Sequence, residues 1–244
     1  MWLLNSSIGK KLIMSISGIF LILFLLFHVS MNVVAVFSGE AYDMICAFLG
    51  SNWYAVAGTL VLAAGFIIHI IYAFVLTLEN RKARGNDRYA INTRPKGVEW
   101  ASQNMLVLGI IVILFLVLHF AQFWYHMMFA ELLGHHEVVL GDGTVVSPQS
   151  GAAFINYYFK GNILITVLYL VWYAALWFHL THGFWSAIHT LGWNNTIWMN
   201  RWQCISNIFA TVVCAVFAII TIIFYLNGVG GSCTEVVETI MIQG

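Results

Sequence analysis

The stretch 12–37, LIMSISGIFLILFLLFHVSMNVVAVF, decides the fold of this chain. It contains no Asp, Glu, Lys or Arg, and a helix needs about 20 apolar residues to cross the hydrocarbon core of a bilayer. Four later stretches have the same character, namely 53–78, 101–129, 158–190 and 203–227, and Lys160 is the single charged residue within them. The sequence therefore predicts an all-α integral membrane protein with five transmembrane helices.

The composition excludes a water-soluble fold. Of the 244 residues, 61% are hydrophobic and 8% are charged, whereas soluble domains carry roughly 25% charged residues. The formal net charge is zero, so no nucleic-acid partner is expected. The four cysteines show no C-x-x-C spacing, which argues against a zinc site, an iron–sulfur cluster or covalently attached haem. A disulfide between Cys46 and Cys233 is an alternative that is not favoured.

The basic residues predict the orientation of the chain. Nine of the ten precede the first span, follow the second or precede the fifth: Lys10, Lys11, Arg81, Lys82, Arg84, Arg88, Arg94, Lys96 and Arg201. Because short cytoplasmic loops carry the excess of Lys and Arg, we expect a protein of the cytoplasmic membrane. Its N-terminus would lie in the cytoplasm and its C-terminus outside.

The third connection, 130–157, is the longest between the spans. Its segment VVLGDGTVV (138–146) predicts a small β-hairpin, since Gly and Asp favour a tight turn between two apolar pairs. No other domain, linker or low-complexity tract is evident, so 1–244 is interpreted as one transmembrane domain.

Histidines are the abundant ionisable side chains of the spans. Ionisable residues at membrane depth are costly and mark function by default. The nine histidines are His28 in the first span, His69 in the second, His119 and His126 in the third, His179, His182 and His189 in the fourth, and His135 and His136 in the third connection.

Four of these histidines fall at two levels of the bilayer. At about 1.5 Å per helical residue, His28 and His119 lie roughly 25–30 Å from the cytoplasmic edge, whereas His69 and His179 lie roughly 15–18 Å from it. Each level takes one histidine from each of two helices. The sequence therefore predicts an outer pair, His28 with His119, and an inner pair, His69 with His179.

Paired histidines on different helices suit a haem. A low-spin haem iron takes two axial ligands on opposite faces of the ring, and neutral imidazoles serve well. Cofactor sites of helical bundles are built from facing helices in this way. We expect the first four helices to form a bundle that binds two b-type haems. The alternative for any single histidine is a hydrogen bond to a neighbouring helix.

The other histidines receive different interpretations. His182 competes with His179, because it lies three residues further on a neighbouring part of the same face. His126 and His189 are predicted at the two interfaces. His135 and His136 are interpreted as solvated loop residues or a weak surface metal site. Three polar residues of the first span are candidates for hydrogen bonds to haem or quinone: Ser17, Ser30 and Asn32.

Short motifs carry a family resemblance over residues 8–228. They are HVSMN (28–32), HIIYA (69–73) followed by NRKAR (80–84), LVLHF (116–120) and HLTHGFWS (179–186). The chain resembles the five-helix, single-polypeptide, dihaem cytochrome b membrane anchor of succinate:quinone oxidoreductases and fumarate reductases. In that family the fourth-helix ligand stands four residues before a Gly. With Gly183 as that Gly, the resemblance selects His179 over His182.

The resemblance implies partners and a substrate. An iron–sulfur subunit would bind the anchor, and a flavoprotein subunit would interconvert succinate and fumarate. A quinone, expected to be menaquinone, would react in the anchor, which makes the chain one subunit of a respiratory oxidoreductase. The basic loop 79–96 would be the docking surface, although Arg81 and Lys82 are interpreted as topology signals rather than as partners of haem propionates.

The sequence departs from the family pattern in two places. Some members carry a Glu two residues before the fourth-helix ligand, where this chain has Trp177. A proton relay through that position is therefore not expected. The family's quinone-site acid, near the outer end of the first connection, has only Glu40 and Asp43 as candidates, without a clear match.

Two other functional classes are alternatives to this interpretation. One is the cytochrome b of a hydrogenase or formate dehydrogenase, whose motifs fit less well. The other is a haemless membrane anchor or transporter. The spans show no broken helix, no carboxylate and no inverted repeat, which are the features expected of a transporter.

Overall fold

A computed structural model describes residues 6–50, 52–84 and 100–229 of the chain. The fold is helical, with one short hairpin. In chain order the elements are α1 (Ser7–Phe37), α2 (Gly39–Phe48), α3 (Trp53–Arg84), α4 (Trp100–His119), a π-helix (Phe120–Phe129), α5 (Ala130–Leu132), β1 (Val138–Val139), β2 (Val145–Val146), α6 (Gly151–Phe159), α7 (Ile163–Thr190) and α8 (Trp198–Asn227).

In the described part of the chain, five helices are long and apolar enough to cross a membrane. They are α1, α3, the continuous run from α4 through α5, α7 and α8, and the mean hydropathy of their most apolar windows lies between 1.9 and 2.7. Large apolar side chains such as Leu23, Leu114 and Ile208 are exposed on them. Helices that are apolar on every side suit a lipid solvent, so the predicted five-span helical architecture is confirmed at the level of length and composition.

The fourth predicted span is wrong at its N-terminal end. The prediction ran from 158 to 190, whereas α7 begins at Ile163 and residues 151–159 form the separate helix α6. The chain turns at Gly161, which has φ +69°, a conformation that glycine adopts without steric cost. The side chain of Asn162 then accepts a hydrogen bond from Ile165 N at 3.2 Å and caps α7.

Other helix boundaries differ by a few residues from the predicted spans. Helix α1 begins before residue 12, α3 continues beyond 78 to Arg84, and α8 begins at Trp198 rather than at 203. The sequence criterion counted apolar residues only. A helix can continue through polar residues because its backbone hydrogen bonds are internal to the segment.

The connections contain structure of their own. In the first, α2 begins after Ser38, whose side chain accepts a hydrogen bond from Ala41 N at 3.1 Å. In the third, the predicted hairpin is confirmed, since Val138 pairs with Val146 in the antiparallel ladder of β1 and β2. Its turn places Gly143 at φ +89°.

A π-helix of ten residues follows α4 directly. The sequence predicted ordinary α-helix for this part of the third span. π-Helices are rare and are often found at functional sites. This one begins immediately after His119, so it shapes the surroundings of a predicted ligand.

The chain divides into two compact units. Unit 1 comprises the described parts of 1–25, 60–112 and 174–212, and unit 2 those of 26–59, 113–173 and 213–244. His69 and His179 belong to unit 1, and His28 and His119 belong to unit 2. The prediction of a single domain stays a prediction.

Candidate functional site: two pairs of histidines

The first histidine pair lies in unit 2. His28 comes from α1 and His119 is the last residue of α4. Their ring centroids are 5.8 Å apart with an interplanar angle of 86°. Aromatic side chains surround the pair, since Phe217 lies 6.0 Å from His28, and Phe123 and Trp172 lie 5.2 Å and 5.7 Å from His119. The two imidazoles therefore face each other within an apolar enclosure.

The second histidine pair lies in unit 1. His69 comes from α3 and His179 from α7, and their ring centroids are 6.4 Å apart at 64°. Glycines stand beside both rings. A Cβ atom added at Gly18 would lie 3.3 Å from His69 Cε1, and one added at Gly109 would lie 3.7 Å from His179 Cε1. These glycines allow the backbones of their helices to approach the His69 and His179 rings closely.

Both pairs have the spacing that a shared iron requires. A bond from a metal to an imidazole nitrogen is about 2 Å long, and the ring centre lies about 1.1 Å beyond that nitrogen, so two imidazoles on opposite faces of one metal have centres about 6 Å apart. The observed separations of 5.8 Å and 6.4 Å match this value. The pairs that helix depth predicted are the pairs that lie together, while their role as ligands stays a prediction.

A hydrogen-bond network assigns the tautomer of His119. Its Nδ1 lies 3.3 Å from the hydroxyl oxygen of Tyr169, and that hydroxyl donates to Gln122 Oε1 at 2.7 Å. A tyrosine hydroxyl has one proton to donate. The Tyr169 oxygen must therefore accept from Nδ1–H of His119, which leaves Nε2 with its lone pair free for a metal.

The same logic applies to His69. Its Nδ1 lies 3.2 Å from Ser17 Oγ, and this hydroxyl donates to the carbonyl oxygen of Met14 at 3.0 Å. Because the Ser17 proton is already donated, the oxygen accepts from Nδ1–H of His69. One histidine of each pair is thus oriented by a hydroxyl group at Nδ1, which leaves its Nε2 unprotonated.

His179 differs from its partner. Its Nδ1 atom is enclosed and has no hydrogen-bond partner among the described residues. Buried polar atoms are nearly always paired, and an exception calls for an explanation such as a redox role or a bound ion. Unlike His69 and His119, His179 therefore has no hydroxyl group among the described residues that orients its ring through Nδ1.

The competitor of His179 has a different environment. The ring of His182 packs edge-on against Trp185 of the same helix, with centroids 5.0 Å apart, whereas the ring of His179 faces His69. The choice of His179 over His182 as a ligand stays a prediction.

The remaining histidines lie apart from the two pairs. His126 Nδ1 lies 3.2 Å from the carbonyl oxygen of Gln122, and His189 is exposed in the last turn of α7 beside Asn194. His135 and His136 are exposed. Within the ranges that the structure describes, no group of three or more His, Cys, Asp or Glu side chains could hold a metal ion, so the surface metal site receives no support. A haem held by two histidines would need no such group of three.

The three polar candidates of the first span form hydrogen bonds within the chain, and their bonds to haem or quinone stay a prediction. Ser17 contacts His69, as described above. Ser30 Oγ donates to the carbonyl oxygen of Leu26 at 2.8 Å. Asn32 Nδ2 donates to the carbonyl oxygen of His28 at 2.8 Å and lies 3.4 Å from its Nε2. Two of the three therefore reach a paired histidine.

Tyr169 and Gln122 were missed by the sequence argument. Gln122 is an uncharged polar residue inside an apolar run, three residues after His119, and buried polar groups in such a run need a partner. That position was the available signal. Tyr169 gave none, because an aromatic residue within a span is more often a packing residue.

The acidic candidates near the first connection have distinct surroundings. Glu40 is exposed in the first turn of α2. Asp43 is half-buried and accepts a hydrogen bond from Ala152 N at 2.8 Å, at the start of α6. Burial raises the pKa of the Asp43 carboxyl above its ordinary value, although the bond from Ala152 opposes this shift. Asp43 is thus already occupied in capping a helix.

Several predictions concern residues outside or at the edge of the described ranges. Most of the proposed docking loop 79–96, with Arg88, Arg94 and Lys96, lies outside the described residues, as does Cys233 of the considered disulfide. At the end of α3, Arg81 and Lys82 are exposed, and Glu79 forms an ion pair with Lys10.

The fold and the two pairs define a class of protein: a chain of membrane-length helices that carries two interhelical histidine pairs, each with the spacing of a metal-bridged pair. Comparisons with protein-family profiles, with curated proteins and with solved structures give no match for this chain. The family expected from the motifs therefore continues as a proposal.

Proposed function

We propose that the chain is a dihaem cytochrome b of the cytoplasmic membrane, with its N-terminus in the cytoplasm and its C-terminus outside. It anchors an iron–sulfur subunit and a flavoprotein subunit, and it passes electrons between the iron–sulfur subunit and a membrane quinone. The complex is a succinate dehydrogenase or fumarate reductase. The observation that carries the proposal is the spacing of the two histidine pairs, 5.8 Å and 6.4 Å between ring centroids.

The residues of the chain have defined roles in this proposal. His28 and His119 would hold one haem, and His69 and His179 the other. A bound b haem supplies a reversible one-electron exchange between ferric and ferrous iron. Ser17 orients one ligand by accepting its Nδ1 proton, as Tyr169 does in the other pair. The aromatic walls around His28 and His119 exclude water, which lowers the local dielectric constant.

The identity of the partners is supported by the order of the motifs along the chain. A quinone, with menaquinone as the expected type, would react within this subunit, while dicarboxylate chemistry belongs to the flavoprotein. The position that holds a Glu in some family members is Trp177, whose indole N–H donates to Thr211 Oγ1 at 2.9 Å. Trp177 therefore serves helix packing, and protons for the quinone must come by another route.

The proposal is tested first by the haem content. The chain is purified in detergent and its haem is measured from the pyridine haemochrome spectrum. Two protohaems per chain are expected. Haem-free protein that is otherwise helical and folded would overturn the proposal and leave a haemless anchor or transporter.

The ligand assignment is tested by single substitutions. His179→Ala should remove only the haem of the His69–His179 pair, because one of the two histidines that would hold it is lost. His182→Ala is the matched control and should retain both haems. If His179→Ala keeps both haems and His182→Ala loses one, the fourth ligand is His182.

The partner assignment is tested by purifying the complex from native membranes. Succinate-dependent reduction of the haems identifies the proposed complex. Reduction by hydrogen or formate instead would indicate the alternative, a cytochrome b of a hydrogenase or formate dehydrogenase.

A further inference from the structure

We propose that Tyr169 and Gln122 are positioning residues that set the reduction potential of the haem held by His28 and His119, an inference that rests on the proposed function. They act through His119, by fixing which of its nitrogens carries the proton and how strongly that proton is shared. Neither residue would contact the iron.

Both residues are deeply buried beside the pair. Tyr169 is 3% exposed and Gln122 is 6% exposed. The Tyr169 ring is held by neighbouring aromatic groups, with the Phe159 centroid at 4.8 Å and the Trp172 centroid at 5.5 Å. A hydroxyl in such surroundings keeps its hydrogen-bond partners, because exchange with water is not available to it.

The π-helix places the two groups that Tyr169 connects. His119 ends α4 and Gln122 stands in the π-helix three residues later. Tyr169, on α7, lies with its hydroxyl oxygen 3.3 Å from His119 Nδ1 and 2.7 Å from Gln122 Oε1. One hydroxyl therefore bridges a ligand to a buried amide across two helices. The bridge lies where the helix geometry changes, immediately after His119.

The bridge has a defined electronic effect. When Nδ1–H donates to an oxygen, the imidazole becomes a more basic ligand. A more basic ligand stabilises ferric over ferrous iron and lowers the potential. Donation by Tyr169 to Gln122 polarises the hydroxyl and strengthens it as an acceptor, since chained hydrogen bonds reinforce one another.

The other pair offers an internal comparison. There the acceptor is Ser17, which contacts His69 at 3.2 Å. The two networks share no residue and lie in different units of the chain. Substitutions in the Tyr169 network should therefore move one of the two haem potentials and leave the other in place.

The test compares two tyrosines of the same helix. In Tyr169→Phe the ring is kept and the bridging hydroxyl is removed. Tyr173→Phe is the matched control, because Tyr173 is also buried, at 8% exposure, and its hydroxyl bonds to Thr221 at 3.0 Å. The full haem-loaded chain is titrated by optical potentiometry, and the electron paramagnetic resonance spectra of the ferric haems are recorded.

Loss of an outer-shell partner changes the affinity of a metal site by about 10–100-fold. If Tyr169→Phe weakens ferric binding about tenfold relative to ferrous binding, one potential rises by about 59 mV for this one-electron couple. The second potential, and both potentials of Tyr173→Phe, should not change. Gln122→Leu should raise the same potential by a smaller amount. If the Tyr169→Phe protein does not accumulate, the potential measured in Gln122→Leu decides whether the inference holds.

The outcomes separate this inference from the proposed function. Two haems with unmoved potentials and spectra in both Tyr169→Phe and Gln122→Leu would overturn the inference alone. Equal shifts in Tyr169→Phe and Tyr173→Phe would also overturn it, by showing an effect of packing in α7. Absence of haem from the unsubstituted chain would overturn the proposed function itself.

Discussion

Gly18 of α1 provides the sharpest test of how closely the helices pack against the paired histidines. A Cβ atom at this position would lie 3.3 Å from His69 Cε1 and 3.7 Å from His69 Nδ1. Gly18→Ala should therefore push the imidazole away from α1 by a few tenths of an ångström. Gly58→Ala in α3 is the matched control, because no heavy atom of the described residues would lie within 4 Å of the added Cβ.

The expected magnitudes follow from two opposing effects. Replacing a glycine in a helix interior by alanine stabilises the helix by up to about 1 kcal/mol, and Gly58→Ala should gain this amount. In Gly18→Ala the displaced ring loses its bond to Ser17 Oγ, which is already 3.2 Å long. Such a bond between membrane helices contributes about 0.6 kcal/mol on average, so the net gain should be correspondingly smaller.

Two measurements check this prediction. Unfolding by sodium dodecyl sulfate, followed by circular dichroism, gives the free energy of unfolding of each variant. Haem titration gives the haem affinity of the proposed site at His69 and His179, which should fall about tenfold in Gly18→Ala, as for the loss of an outer-shell partner. If Gly18→Ala matches Gly58→Ala in both stability and haem affinity, the close packing against His69 is refuted.

Three further predictions concern other parts of the chain. Ser206 is fully buried and shares its hydroxyl proton between two carbonyl oxygens of α7, each at 3.0 Å, so Ser206→Ala should lower the free energy of unfolding in detergent by about 0.6 kcal/mol. The raised pKa of Asp43 means that the folded state binds the proton more tightly than the unfolded state; its contribution to stability is present below the ordinary pKa of an aspartate and is lost as pH rises through the higher folded pKa. Asp43→Asn keeps an acceptor for Ala152 N and should remove that step from a series of unfolding curves at increasing pH. Gly143 has φ +89°, so Gly143→Ala should destabilise the hairpin by about 1 kcal/mol, seen as faster amide hydrogen exchange in β1 and β2.

The five helices and the histidine pairs could be predicted from the sequence because each depends on one dimension only. Length and hydropathy determine which segments can cross a bilayer. The rise per residue and the alternating direction of the spans then determine the depth of each histidine. These arguments need no knowledge of lateral contacts, and they led to the combinations His28 with His119 and His69 with His179.

The structural features that the sequence did not predict depend on the rotation of each helix about its axis or on the conformation of a single turn. A segment that is apolar on every side has no periodic signal, so the π-helix and the approach of Tyr169 to Gln122 could not be inferred. Gly161 indicated the helix break before Ile163, but a span defined only by its apolar residues includes that glycine. Contacts with neighbouring helices thus determine the side-chain contacts and helix geometry that the apolar pattern of a single helix does not specify.

The division of the chain into units constrains how the protein is made. Each unit is assembled from three separated pieces of chain that alternate with those of the other unit. A C-terminal truncation before residue 174 therefore removes one piece of each unit. The ribosome completes the two histidine pairs in a fixed order, since His119 is translated well before His179. On the proposed function, the pair of His28 and His119 is thus complete in the nascent chain before the pair of His69 and His179.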